Sequence, residues 1–300
     1  MELRVLQYFL EVAREKSISA AAASLHLSQP TLSIQLKALE EELGKQLLIR
    51  GTKGSRKVLL TDEGMILRKR AEEILTLVQK AKSEVQMTDA SIAGDVYIGA
   101  GETDIIRYFA RAAKRMKKSC PDIRYHISSG NAQFVTEQLD KGLIDFGLMY
   151  GPVDRTKYEA LTLPIGDRFG VLMRRDDPLA QKEWISPEEL RDKPLILSAQ
   201  DRSEGWTVSS QIRQDVSHLN VAATYNLIFN ASLMVEEGLG YAVCLDKLIN
   251  TSGDSQLCFL PLRPEIVITP SIVWKRYQVF SKASERFLQE LTSVMDLPQK

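Results

Sequence analysis

Three hundred residues are too many for one small domain and imply two or three, and 39 basic against 39 acidic side chains exclude a uniformly basic, polyanion-coating protein. Any affinity for nucleic acid must therefore be local. Three scattered cysteines, Cys120, Cys244 and Cys258, argue against a disulfide framework, and no apolar run is long enough to span a membrane. The chain starts directly in a helical pattern without a signal sequence, so a cytoplasmic protein without membrane partners is expected.

The first predicted helix carries Leu3, Leu6, Phe9, Leu10 and Ala13 on one face. A second follows, with Ser19 as its candidate cap and Ala20, Ala21, Ala22 and Ala23 small enough for a close helix crossing. Leu25 and Leu27 bracket a tight turn. Ser28 then caps a third helix with Pro30 in its first turn, where a missing N–H costs little. Leu32, Leu36, Leu39 and Leu43 form its inward stripe.

The opposite face of this third helix carries Pro30, Thr31, Ser33, Ile34, Lys37 and Ala38. Short polar groups, Ser28 and Gln29 included, and one base near a helix start suit contacts to phosphates and base edges in the DNA major groove. Ile34 has two readings, packing on a thymine methyl or standing as a stray surface isoleucine. Glu40, Glu41 and Glu42 lie at the far end, away from that contact. Next, LLIRGTKGSRKVLL reads as two short strands around a Gly-rich loop, with Arg50, Lys53, Arg56 and Lys57 in it, Lys45 just before it and no acid among them. A basic hairpin beside a helix-turn-helix suits a wing lying along the phosphate backbone. Residues 1–90 hold 14 basic and 12 acidic side chains, so the bases are concentrated rather than abundant.

Thr61 can cap a long fourth helix, with Asp62 and Glu63 in its positively polarised first turn. Leu60, Gly64, Leu67, Ala71, Ile74, Val78, Ala81 and Val85 form a narrow seam, regular from Leu67 onward; a narrow seam calls for a partner helix, the alternative being packing on the C-terminal domain of the same chain. From about Ala93 the period changes. DVYIGA, IRYHIS and IDFGLMY read as strands, alternating with helices in TDIIRYFARAAKRMKK and NAQFVTEQLDKG, which implies a parallel sheet covered on both faces. A second unit comes next, with strands in RFGVLMRR, KPLILSA, VAATYNLIF and GYAVCL and helices in ISPEELRD and residues 207–218. SIVWKRY and a final helix over 281–294 return to the first unit.

FLEVAREKSISAAAASLHLSQPTLSIQLKALEEELGKQLLIR, followed by LTDEG, resembles the N-terminal domain of LysR-type transcriptional regulators, and the remaining chain fits their effector domain. The resemblance implies a multidomain chain. An all-α winged helix-turn-helix (1–60) and a long linker helix (61–92) would precede an α/β, two-subdomain, periplasmic-binding-protein-like (type 2) effector domain (93–300). Its subdomain I would span 93–161 and 268–300, and subdomain II 162–267. By position, Gln29, Pro30, Thr31, Ser33, Gln35 and Lys37 belong to the recognition helix and Arg50 to the wing. Many members carry a base where this chain has Ile34, so base preference does not transfer.

A regulator of transcription is therefore expected, one that binds double-stranded DNA at an inverted repeat as a homodimer or homotetramer, responds to a small-molecule effector and engages RNA polymerase. Ligands of open sheets sit beyond the carboxyl ends of strands. That rule selects Gly101, Glu102 and Thr103; Ser128, Ser129 and Asn131; Ser198, Gln200 and Ser203; and Asn226 as effector candidates. Helix starts there would suit a small anion, whereas a Glu102 carboxylate would repel an anion or recruit an amino group unless it points outward. No cofactor, metal site or catalytic residue is expected. His26, His126 and His218 lack ligand spacing, and neither a phosphate loop nor a GxSxG elbow is present. The alternative is a solute-binding protein without catalytic activity.

Overall fold

A computed structural model describes residues 1–51, 57–86, 92–199 and 219–295. The chain forms two compact units, Met1–Gln86 and Met87–Lys300. In the first, α1 (Leu3–Glu15) buries Val5, Leu6, Phe9 and Val12 and ends at Lys16 in the left-handed conformation. Its buried face is thus turned from the expected one: Leu3 is exposed, and Leu10 and Ala13 are half-buried. The cap of α2 (Ile18–Ser24) is Ser17 rather than Ser19, because the helix begins at Ile18; the Ser17 hydroxyl accepts the Ala20 N–H at 3.3 Å. Ser17→Ala should lower stability by about 1 kcal/mol and Ser19→Ala by well under half of that, as thermal unfolding will measure. Of the four alanines only Ala21 and Ala22 are buried in the crossing.

Ser28 caps α3 (Gln29–Leu43), and Gly44, at φ 63°, ends it in a conformation glycine adopts without strain. Leu32, Leu36 and Leu39 join Phe9, Val12 and Ala21 in one core with Leu47, Leu48 and Val58. Leu43, expected in the same stripe, lies a turn beyond that cluster and is exposed. The hairpin forms from β1 (Leu48–Arg50) and β2 (Val58–Leu60), antiparallel, with Leu48 opposite Leu60.

The long helix α4 (Asp62–Gln86) starts where expected, with the Thr61 hydroxyl accepting the Gly64 N–H at 3.0 Å. Its seam divides. Gly64 and Ala71 are buried and Leu67 packs on the three-helix core of the same chain, Ile74 and Val78 are half-buried, and Ala81 and Val85 are exposed, as are Ile66 and Leu77 outside the seam. The start of the expected pairing seam is therefore used internally, since α1 lies against α4.

In the second unit β3 (Gly94–Ala100), α5 (Ile106–Met116), β4 (Ile123–Ser129), α6 (Ala132–Asp140), β5 (Phe146–Met149) and β6 (Tyr158–Thr162) come first. The chain then builds another sheet from β7 (Asp167–Arg174), β8 (Leu195–Ser198), β9 (Val221–Tyr225), β10 (Tyr241–Leu245), β11 (Leu257–Pro261) and β12 (Val267–Ile268), with α7 (Ile228–Glu236) between β9 and β10. It returns through β13 (Ser271–Lys275) and ends in α8 (Lys282–Met295). The first sheet runs β4-β3-β5-β13-β6 and the second β11-β7-β10-β8-β9, with β12 on β7.

Both sheets are mixed, whereas a parallel sheet is expected for the first. The helix-connected β3, β4 and β5 are parallel, as are β8, β9 and β10. The returning strand β13 runs antiparallel to β5 and β6, and β7 runs antiparallel to β10 and β11. Only helical crossovers enforce parallel pairing. VAATYNLIF is also split: the strand stops at Tyr225, and Ile228 and Phe229 open α7. ISPEELRD yields only a 3-10 turn over Pro187–Leu190, and the helix expected over 207–218 lies outside the described residues. Phe109, Phe146 and Phe287 anchor the first subdomain core, with Phe109 and Phe146 each 5.9 Å from Phe287 by ring centroid. Among the described residues no helix is long and apolar enough to cross a membrane.

Candidate DNA-binding surface and ligand cleft

Three buried leucines fix how α3 is turned, and so which side chains it offers outward. Gln29, Pro30, Thr31, Lys37 and Ala38 are exposed, Ile34 is 66% exposed, and Ser33 and Gln35 are half-buried along the flank. Ser28 and Thr31 carry a structural duty as well: the Ser28 hydroxyl accepts the Thr31 N–H at 3.2 Å and lies 2.7 Å from its hydroxyl. Lys37 pairs with Glu41 at 3.3 Å, a solvent-exposed pair that phosphate can displace at little cost.

At the root of the hairpin, Arg50 sits 3.4 Å from the Glu40 carboxylate. Glu40, read from sequence as remote from the contact surface, also accepts the backbone N–H groups of Leu47 and Leu48 at 2.8 and 3.0 Å. Lys57 is exposed, and Lys53 and Arg56 lie outside the described residues.

The cleft candidates are brought together unevenly. Thr103, just past the end of β3, is buried; its hydroxyl donates to Asp167 at 2.5 Å and accepts the Ile105 N–H at 3.0 Å. Tyr150, at the end of β5, donates to the same Asp167 oxygen. Burial holds the Asp167 carboxyl above the ordinary carboxylate range, against the opposing pull of those two hydroxyls. Burial and the neighbouring Asp167 charge together push the Tyr150 phenol up. Glu102 is half-buried. Its carboxylate accepts the N–H of Ile228 at the start of α7, so residues 102 and 103, side by side, tie the first subdomain to the second.

The other candidates serve mainly their own turns. Asn131 caps α6 through the Phe134 N–H at 2.9 Å, and Asn226 accepts the Leu227 N–H at 3.0 Å. Ser128 and Ser129 are exposed on β4 beside Gly99 and Ala100, and Ser198 ends β8 opposite Tyr225. Gly101 is unconfined, with the nearest contact to an added Cβ being the Gly130 carbonyl at 3.8 Å. Gln200 and Ser203 lie outside the described residues.

Sequence reasoning missed Tyr150 and Asp167, although Tyr150 closes a strand already recognised in IDFGLMY. It also missed a cavity of about 460 Å³ where Arg107 and Lys247 stand over Leu172, Cys244 and Phe259, with Asp246 beside them. Arg107 pairs with Asp104, and Lys247 holds φ 64°, a backbone state uncommon outside glycine. The Cys244 thiol is pushed up to about 12 by burial, so at neutral pH it is a small buried hydrophobe and no nucleophile. Among the described residues no cluster of His, Cys, Asp and Glu is placed to hold a metal.

Residues 3–65 match the family described as bacterial regulatory helix-turn-helix protein, lysR family, and residues 89–296 match the LysR substrate binding domain. The chain is 33% identical over 206 residues to the HTH-type transcriptional regulator AlsR of Bacillus subtilis (strain 168), covering 69% of this chain and 66% of that one. Among solved structures it is similar to CbnR, a LysR family transcriptional regulator, with TM-score 0.75 and 19% identity over 99% of this chain and 100% of that one. Full-length CbnR complexed with its target DNA gives TM-score 0.74 and 20% identity over 98% and 100%.

Proposed function

The chain belongs to the LysR family of DNA-binding transcriptional regulators, which join a helix-turn-helix domain to a substrate-binding domain, and on that premise we propose how its own residues divide the work. Ser28, Gln29, Pro30, Thr31, Ser33, Ile34, Gln35 and Lys37 read base edges and phosphates in the major groove, and Arg50, Lys53, Arg56 and Lys57 hold the backbone from the wing. The observation that carries this reading is the outward face of α3: its three leucines are fully committed to the core, leaving Thr31, Ile34 and Lys37 exposed for a groove. CbnR, bound to its target DNA in a solved complex, supports the same use of the fold.

The exposed apolar residues of α4 pair with a second copy, giving a dimer, or a tetramer through further contacts, that meets an inverted repeat. The effector enters between the subdomains near the Glu102–Thr103 loop. By preferring one cleft arrangement it shifts the assembly between DNA-bound geometries, changing DNA bending and RNA polymerase recruitment. We assign the protein to the cytoplasm and no catalytic role, in keeping with relatives that are regulators.

Binding to the intergenic DNA upstream of its own gene, measured against a random duplex at several salt concentrations, tests this. A preference of about a thousandfold or more is expected. Lys53→Ala or Arg56→Ala should weaken binding to all sequences and flatten the salt slope by about one unit. Ser33→Ala or Gln35→Ala should instead change preference among operators by about 1–3 kcal/mol. Equal losses on specific and random DNA for all four variants would sink the division of labour.

A further inference from the structure

Glu40 stands at a junction of three elements. From α3 its Oε1 grips two consecutive N–H groups, Leu47 at 2.8 Å and Leu48 at 3.0 Å, and its Oε2 lies 3.4 Å from the Arg50 guanidinium. The side chain is only 15% exposed. The same short segment is held from the other side by the start of α4. The Thr61 N–H donates to the Leu47 carbonyl at 3.0 Å, and the Thr61 hydroxyl donates to the Gln46 carbonyl at 2.7 Å. Residues 46–48 are therefore pinned between the reading helix, the wing and the long helix.

We propose that Glu40 is a positioning residue for operator recognition: it sets the angle between α3 and the wing and pre-orients Arg50 for the phosphate backbone. The assignment rests on the DNA-binding reading above. Two charge-assisted bonds to neighbouring amides fix a direction as well as a distance, which a single bond does not. Arg50 keeps guanidinium N–H donors beyond the one facing Glu40, so it can hold the carboxylate and a phosphate together. Base edges and phosphates must be met at once, so an error in this angle costs specific binding more than non-specific binding.

The test uses the full chain with Glu40→Gln and Glu40→Ala, and Ser17→Ala as a control destabilised in the same unit without removing any of the Glu40 bonds. The probe is a duplex selected from a random pool by the unaltered protein, measured against random duplex. Glutamine keeps an acceptor for the two amides but loses the charge facing Arg50. The ratio of specific to random affinity should fall about threefold in Glu40→Gln and about tenfold or more in Glu40→Ala, with circular dichroism unchanged at the assay temperature. Ser17→Ala should keep the ratio within about twofold. A Glu40→Gln ratio equal to that of the unaltered protein would overturn the proposal, whether or not Glu40→Ala folds. So would an equal fall in Ser17→Ala, which would mark the loss as simple destabilisation. If the unaltered protein selects no duplex at all, the DNA-binding reading itself fails.

Discussion

Gly64→Ala should destabilise the first unit by about 2–3 kcal/mol, although alanine is the better helix former by about 1 kcal/mol. Gly64 lies in the first turns of α4, and a Cβ built there would meet the Leu47 carbonyl oxygen at 2.2 Å and the Leu60 Cβ at 3.3 Å. The oxygen belongs to backbone, so it cannot swing aside as a flexible side chain would. It also accepts the Thr61 N–H, and the Leu47 N–H is held by Glu40, so moving it strains bonds on both sides. Relief requires α4 to lift from the hairpin, which uncovers Leu47, Leu48 and Leu67. Denaturant unfolding of the full chain will show a separate, earlier transition for this unit, and operator binding will weaken with it. A variant more stable than the original would mean that propensity outweighs the contact and that the close approach is absent.

This glycine also illustrates what the sequence conveys and what it hides. In sequence Gly64 falls at a seam position, four before Arg68 and three before Leu67, and periodicity cannot distinguish a helix face turned to a partner from one turned to the same chain. The interior stripe Leu32, Leu36 and Leu39 was legible because helical spacing alone selects it. Ser17 and Ser19 both suit a cap, and only the backbone shows that the helix starts at Ile18. Strands joined by helices were legible in type but not in direction, since β7 and β13 enter their sheets without a crossover helix.

The cleft was the least legible part. Rules about strand ends located the 101–104 loop, but the groups it meets lie far along the chain, Asp167 by 64 residues and Ile228 by 126. No local pattern announces such a meeting. The question raised by Glu102, whether it repels an anion, recruits an amino group or turns outward, has a further answer that sequence cannot supply: it caps the start of a helix in the same chain. The cavity beside Arg107 and Lys247 was equally hidden, being assembled from α5, β7, β11 and the loop after β10.

Asp167→Ala should cost about 2–4 kcal/mol, whereas Asp167→Asn should be as stable as the original at low pH and more stable at neutral pH. Asp167 opens β7, the first strand beyond the crossing between subdomains, and Ile268 on the returning crossing pairs with it. Its carboxylate is the shared acceptor for Thr103 and Tyr150. Alanine leaves two largely buried hydroxyls without that acceptor; asparagine keeps an oxygen for them and removes the buried charge. The pH dependence comes from burial, which raises the carboxyl above its unfolded value. The folded state then binds the proton more tightly, so this group's stabilising contribution is complete below about pH 4 and is lost as pH rises through the raised native value. The gap between Asp167→Asn and the original should therefore open on going from about pH 4 to neutral, by a few degrees in thermal midpoint. Parallel midpoint curves for the two proteins across that range would mean that Asp167 titrates as an ordinary carboxylate. Because the same carboxylate joins strand ends of one subdomain to the first strand of the other, the alanine variant should also loosen the cleft, with faster amide exchange at Ile105 and Ile228, whose N–H groups are held by Thr103 and Glu102. Faster exchange confined to Ile105 would show that Glu102 holds α7 independently of Asp167.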